Sequence, residues 1–183
     1  MQEELGVVLV LVPAELSVPT PHPWSFISLT SLERIITVNP IHFVLSKNEK
    51  KCFVISQIGE ENSDIRKRSD QIFTYVIEKA VTTFGYSAIR ADKIPRPGII
   101  TSQIIEHLLK DELVIADLTG KNPNVFYELA VRHAVKKPFI QIKEVLETIP
   151  FDITNMRTIN VDYRYIDSMD KCRDEIVKQI QEI

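Results

Sequence analysis

Cysteine is scarce. Cys52 and Cys172 are the only two, too few for a disulfide framework and without the close spacing of a thiolate metal site. The four histidines, His22, His42, His107 and His133, show no ligand spacing either. These shortages point to a cytoplasmic protein that requires no metal and no other cofactor. A positive field is missing as well: the formal charge is −3 and the pI near 5.8, with IRKR at 65–68 as a small local basic cluster, so nucleic acid is not an expected partner. Long apolar runs are absent too. GVVLVLV at 6–12 is too short to span a bilayer and follows Glu3 and Glu4 instead of the basic start of an export signal, so neither an anchor nor a signal peptide is expected. Neither GxGxxG nor GxxxxGK[ST] occurs, which disfavours dinucleotide-redox and P-loop chemistry.

What is present divides unequally. The 183 residues, 44% of them hydrophobic, suit one domain with a core plus an appendage, and not two ordinary domains. Residues 1–46 carry five charged side chains and crowd Pro13, Pro19, Pro21 and Pro23 together. Two readings stand for this segment: a poorly ordered extension with a short strand at IHFVL (41–45), or a partner-binding or membrane-touching arm presenting Trp24 and Phe26. The domain proper is assigned to residues 47–183.

From Lys51 onward apolar strands alternate with helical periodicity. CFVISQIG (52–59) reads as a buried strand closed by Gly59. Ser63 or Asp64 caps a helix with Ile65, Ile72, Phe73, Val76, Ile77, Ala80 and Val81 on one stripe, ended by Gly85. YSAIRAD (86–92) is a second strand, KIPRPG (93–98) a loop, and Ile100 to Leu109 a second helix. LVIADL (113–118) is apolar enough to be covered on both faces, and it leads into a helix over 123–136. PFIQI (138–142) and MRTINVD (156–162) complete five strands, and a helix over 169–182 closes the chain. Strand–helix alternation with right-handed crossovers implies an α/β fold: a flavodoxin-like, doubly wound, parallel five-stranded sheet of order 2-1-3-4-5, with an irregular N-terminal extension. Ligands of such sheets bind beyond the carboxyl ends of the strands, at the switch point between strands one and three. Ser56, Gln57 and Gly59 stand at the first of these ends, and Asp117, Thr119 and Gly120 at the other.

The sharpest motif is DLTGKNPNVFYELA (117–130). Asn122 is a good N-cap and Pro123 a favoured first helical residue, since its missing N–H is one the helix start leaves unpaired. Glu128 then lies about two turns into the helix, and helical side chains lean back toward the N-terminus. Asp117, Asn122 and Glu128 are therefore expected to converge on one crevice.

CFVISQIG, ADKIPRPGIITSQI and LVIADLTGKNPNVFYELAVRHAVKKPFI together resemble the nucleoside 2-deoxyribosyltransferase-like family, over about Lys51 to Asp162. The resemblance implies cleavage of the N-glycosidic bond of a nucleoside or nucleotide, by hydrolysis or deoxyribosyl transfer, with Glu128 attacking the anomeric carbon. A carboxylate is suited to this step: it adds to an oxocarbenium-like carbon, expels the base and holds the sugar as an ester. The resemblance further implies that Asp117 positions the ligand or handles the leaving base's proton, and that Asn122 bonds a sugar hydroxyl or phosphate. It also implies that Asp152 and Asn155, in PFDITNMR (150–157), line the pocket of a homo-oligomer. Two departures bear on it. Asn122 stands where the family's transferases usually carry Asp, six residues before the nucleophile, and Ser56 occupies the region of a first-strand Tyr, so hydrolysis stands beside transfer. Two further readings stay open: a non-catalytic nucleotide-binding or signalling module, and a TIR-like NAD hydrolase of antiviral defence.

Other polar residues carry less. Asp92 either faces the pocket or caps the turn after strand two. Gln103, Arg66 and Arg68 read as solvated, and His133 as a satisfied, semi-buried histidine on the Phe126 side of its helix.

Overall fold

Six residues, Lys50–Ile55, form β1, in which Cys52 and Val54 alternate with Phe53 and Ile55, all four buried. Neither face of this strand is polar, so both must be covered. The computed structural model describes residues 50–183; the N-terminal segment 1–46, the expected strand at 41–45, and Trp24 and Phe26 lie outside the described residues. β2 (Tyr86–Arg90), β3 (Leu113–Asp117), β4 (Phe139–Glu144) and β5 (Thr158–Val161) join β1 in a parallel sheet of order β2-β1-β3-β4-β5. This is the doubly wound, flavodoxin-like order expected from the alternation.

The helices divide between the two faces. On one lie α1 (Asp64–Gln71), a π-helical turn at Ile72–Ile77, α2 (Glu78–Thr82) and α5 (Ile166–Gln181), which bury Ile72, Phe73, Val76, Ile77 and Ile176 against Cys52, Val54, Leu113 and Ile115. On the other lie α3 (Ile100–Lys110) and α4 (Pro123–Ala134), which bury Leu108, Val125 and Leu129 against Phe53, Ile55, Val114 and Ala116. Ser63 caps α1 by accepting from the Arg66 N–H at 3.1 Å, so the cap is Ser63 and not Asp64. The single expected helix of 63–84 is interrupted by the π turn, a wider coil that the apolar stripe does not reveal.

One buried cation ties the second face together. Arg132, 0% exposed, donates to the carbonyls of Leu108, Asp111, Glu112 and Pro138 at 2.8–3.2 Å. These are carbonyls at the end of α3 and the starts of β3 and β4, and the guanidinium's planar fork serves several at once.

Candidate active site

The β3–α4 connection builds the site's floor. Gly120 and Lys121 both take positive φ, at 81° and 50°, reversing the chain out of β3. A Cβ on Gly120 would meet the flexible end of the Gln57 side chain, which can move aside, so the demand for glycine here comes from the positive φ, which a side chain rarely adopts. Asn122 then caps α4, its Oδ1 accepting from the Asn124 N–H at 2.9 Å. Capping uses the amide oxygen and leaves the Asn122 NH2 group as a donor.

Beyond the ends of β1 and β2, between the N-termini of α3 and α4, lies a cleft of ≈ 290 Å³. Its polar lining includes Ser56, Gln57, Asn122, Asn124 and Glu128, and its apolar wall is formed mainly by Phe53, Ile55, Ile100, Ile104 and Val125. Glu128 is half-buried, and burial alone pushes its carboxyl from 4.5 up to about 7. Near pH 7 such a group divides between carboxylate and carboxylic acid.

The expected convergence of Asp117 on Glu128 is not what the structure has. Asp117 follows Leu113 and Ile115 on β3, pairs in register with Ile142, and so faces α1 and α5, whereas Glu128 rides on α4 over the opposite face. The reason is strand alternation: residue 117 shares the face of 113 and 115, not of 114 and 116. Asp117 is 1% exposed and its Oδ1 accepts from the Thr119 N–H at 3.0 Å and the Thr119 hydroxyl at 2.5 Å. Burial raises its pKa, against the lowering effect of the Thr119 bonds and the Arg68 charge.

Several other expected residues also stand outside the cleft's lining. Thr119 is buried and accepts from the Glu144 N–H at 3.0 Å, joining the β3 end to β4. Gly59, at φ 74°, lies against Ser63 and Ile65, where a Cβ would approach both to 2.8 Å; it shapes the β1–α1 loop. The Gly120 N–H is taken by Glu147 Oε1 at 3.0 Å. Asp152 and Asn155 are exposed on the β4–β5 connection. Asp92 neither faces the cleft freely nor merely caps a turn: it accepts from Arg90 at 2.6 and 2.9 Å and from Arg66 at 2.8 Å. Burial alone would raise its pKa, but the Arg90 hydrogen bonds and the charges of Arg90 and Arg66 outweigh it and hold the carboxyl below its usual range.

That ion cluster is a structural unit beside the site. Arg90, 0% exposed, also donates to Asp70 and to Ser69 Oγ, which is bonded in turn to Ser56 Oγ at 3.2 Å. Arg66 is therefore paired, not solvated. Gln103 is likewise buried, donating to the carbonyls of Arg96 and Pro97 and holding the proline loop in place. His133 is half-buried against Phe139, with Nε2 lacking a partner among the described residues, and burial lowers its pKa.

Sequence reasoning missed Asn124 and the apolar wall from α3. Asn124 precedes Glu128 by four residues and so shares its helix face, a spacing visible in the sequence. Ile100 and Ile104 read as core stripe, and only the packing of α3 against α4 turns them toward a cleft.

Among the described residues no group of three histidine, cysteine, aspartate or glutamate side chains is arranged to hold a metal, and no helix is long and apolar enough to cross a membrane. No family model and no curated protein matches the chain in sequence. In structure it is similar to a 2-deoxyribosyltransferase of Bacillus psychrosaccharolyticus, with 13% identity over 65% of this chain and 95% of that one, at a TM-score of 0.47. It is also similar to the CMP N-glycosidase of Clostridium botulinum, with 17% identity over 67% and 97% of the two chains, at a TM-score of 0.43. A like degree of similarity extends to 17% of the E. coli constitutive lysine decarboxylase chain, with 14% identity over 72% of this one, at a TM-score of 0.41. An assignment of activity therefore has to come from the cleft itself.

Proposed function

We propose that this protein cleaves the N-glycosidic bond of a nucleoside or nucleotide, by hydrolysis or by transfer, with Glu128 as the nucleophile. One observation carries the reading: a carboxyl with no charged partner among the described residues, held at the carboxyl end of a parallel sheet in a nucleoside-sized cleft, with a pKa of about 7. A carboxylate desolvated in this way is a stronger nucleophile than one in water, and a substantial fraction of it is ionised at neutral pH. It attacks C1′, the base departs, and the sugar is held as an ester until water or a second base takes it. Gln57, Asn124 and the free NH2 of Asn122 supply neutral hydrogen-bond partners for sugar hydroxyls or a phosphate, which orient the ring without quenching the nucleophile. The resemblance of the sequence to the nucleoside 2-deoxyribosyltransferase-like family supports the same assignment. A homo-oligomer belongs to this reading, with Phe151, 87% exposed on the β4–β5 connection, available to a neighbour; a monomer in sedimentation would remove that part.

The test is base release from ribo- and deoxyribonucleosides, their monophosphates and NAD, followed by chromatography for the wild type and for Glu128→Gln. Release that the substitution abolishes supports the assignment. Binding of a nucleotide without release by either protein would instead support a non-catalytic module.

A further inference from the structure

Among the described residues the cleft is lined by one carboxyl, that of Glu128, and a largely hydrocarbon wall. Among the same residues no neighbouring cation or hydrogen-bond donor contributes to the shift of Glu128. The two other carboxyls expected at the cleft lie outside its lining: Asp117, on the other face of the sheet, has Oδ1 bonded to Thr119 and Oδ2 without a partner among the described residues, and Asp92 accepts from Arg90 and Arg66. The remaining polar groups of the lining, Ser56, Gln57, Asn122 and Asn124, are not acids at neutral pH. Arg90, although part of the lining, turns its guanidinium to Ser69, Asp70 and Asp92. With Glu128 engaged as nucleophile, the described cleft holds no second acid to protonate a departing base.

Resting on the glycosidase reading above, we propose that the substrate is a cationic N-glycoside, one whose glycosidic nitrogen is quaternary, as in a pyridinium riboside. A Glu128 oxygen forms a bond to C1′ while the C1′–N bond breaks. The electron pair of that bond passes to the ring nitrogen and cancels its positive charge, so the base leaves neutral and needs no proton. Water then attacks the ester, restoring the carboxylate and giving the free sugar, with one proton released per turnover. A neutral nucleoside would instead lose an anionic base unless an acid assisted, and that assistance is worth about 10²- to 10⁴-fold in rate. Binding favours the same class, because an unpaired carboxylate against an apolar wall is complementary to a flat cation and pairs with it better than with a neutral ring. The cleft volume of ≈ 290 Å³ suits a single nucleoside, at the small end of ligand pockets, so the rest of any dinucleotide lies outside it.

The full-length chain is assayed with nicotinamide riboside, its mononucleotide and NAD against uridine, cytidine, adenosine and their deoxy forms. Base is followed by chromatography and acid by a weakly buffered indicator, at about pH 8, above the Glu128 value of about 7. The expected result is nicotinamide release with one proton per turnover, at least about 100-fold faster than base release from any neutral nucleoside. The three pyridinium substrates distinguish a riboside from a nucleotide or dinucleotide source. Calorimetry with Glu128→Gln is expected to show nicotinamide riboside bound about tenfold more weakly and uridine little changed. Glu128→Ala serves as a second variant if the first does not fold. Neutral nucleosides cleaved as fast as the pyridinium ones, or cation affinity unchanged in both variants, would overturn the proposal and leave the glycosidase reading intact. No release from any substrate by the folded wild type would overturn both.

Discussion

Glu128 and Asp117 are both carboxyls near the carboxyl end of one sheet, both with raised pKa values, yet they occupy opposite environments. Glu128 stands on a helix, half-buried, with no charged partner among the described residues, beside a cleft. Asp117 ends a strand, sealed to 1% exposure, with one oxygen bonded twice to Thr119. Burial is the largest cause of both shifts. A raised pKa therefore does not mark a reactive group by itself; access to a cleft separates the two.

The contrast is broken most directly at Glu128. Glu128→Gln is expected to lower base release by about 10³-fold or more with the fold retained, as removal of a nucleophile does. Steady-state rates and circular dichroism check both halves, and a variant retaining most of its rate would sink the assignment.

A structural cation provides the opposite pattern. Arg132→Leu leaves four carbonyls short of their donor, and denaturant unfolding is expected to show a loss of about 3 kcal/mol, with the cleft's chemistry unchanged in the fraction that stays folded. A loss below about 1 kcal/mol would mean that water replaces the guanidinium.

Asp117→Asn keeps an oxygen to accept from Thr119 and replaces the second oxygen, unpartnered among the described residues, with an NH2 group. Turnover within about threefold of wild type is expected, the usual outcome for a residue outside the chemistry. A collapse of activity matching that of Glu128→Gln, in a protein of normal melting temperature, would bring Asp117 into the mechanism and erase the contrast.

The smallest effect concerns pH. Glu128 holds its proton more tightly folded than unfolded, so the stability linked to that proton is complete below 4.5 and is lost as pH rises through about 7. Glu128→Gln should therefore raise the melting temperature by about 2 °C at about pH 8 and leave it unchanged near pH 4. Wild-type activity should climb over the same upper range as the nucleophile ionises. A melting temperature that does not respond to the substitution at either pH would show that Glu128 is better solvated than its cleft implies.

Much of this architecture is legible from local patterns. The apolar stripe from Ile72 to Val81, the two-faced apolar strand at 113–117 and the Asn122–Pro123 helix start all show in periods of two and 3.6 residues and in capping geometry, although Ile65, expected on that stripe, is exposed and a π turn interrupts it. Those rules act within a few residues and survive without tertiary context. Arg90 and Arg132 were not legible, because a buried guanidinium looks like a surface one until its partners, up to 24 residues away, are folded around it. Asp117 was misplaced for a related reason. Its alternation with Val114 and Ala116 was available, but which sheet face α4 would cover is a matter of chain crossovers.

The sequence by itself determined the order of elements, the parallel doubly wound sheet and the helix that carries Glu128, because steric propensity and hydrophobic period are local properties of the chain. Only the tertiary structure decided that Glu128 shares a cleft with Gln57, Asn122 and Asn124, that Asp117 lies on the far face, and that the Glu128 carboxyl is pushed up to about 7. Desolvation is a sum over everything that surrounds a group, and here β1 and α3, remote in sequence from Glu128, help to keep the water away.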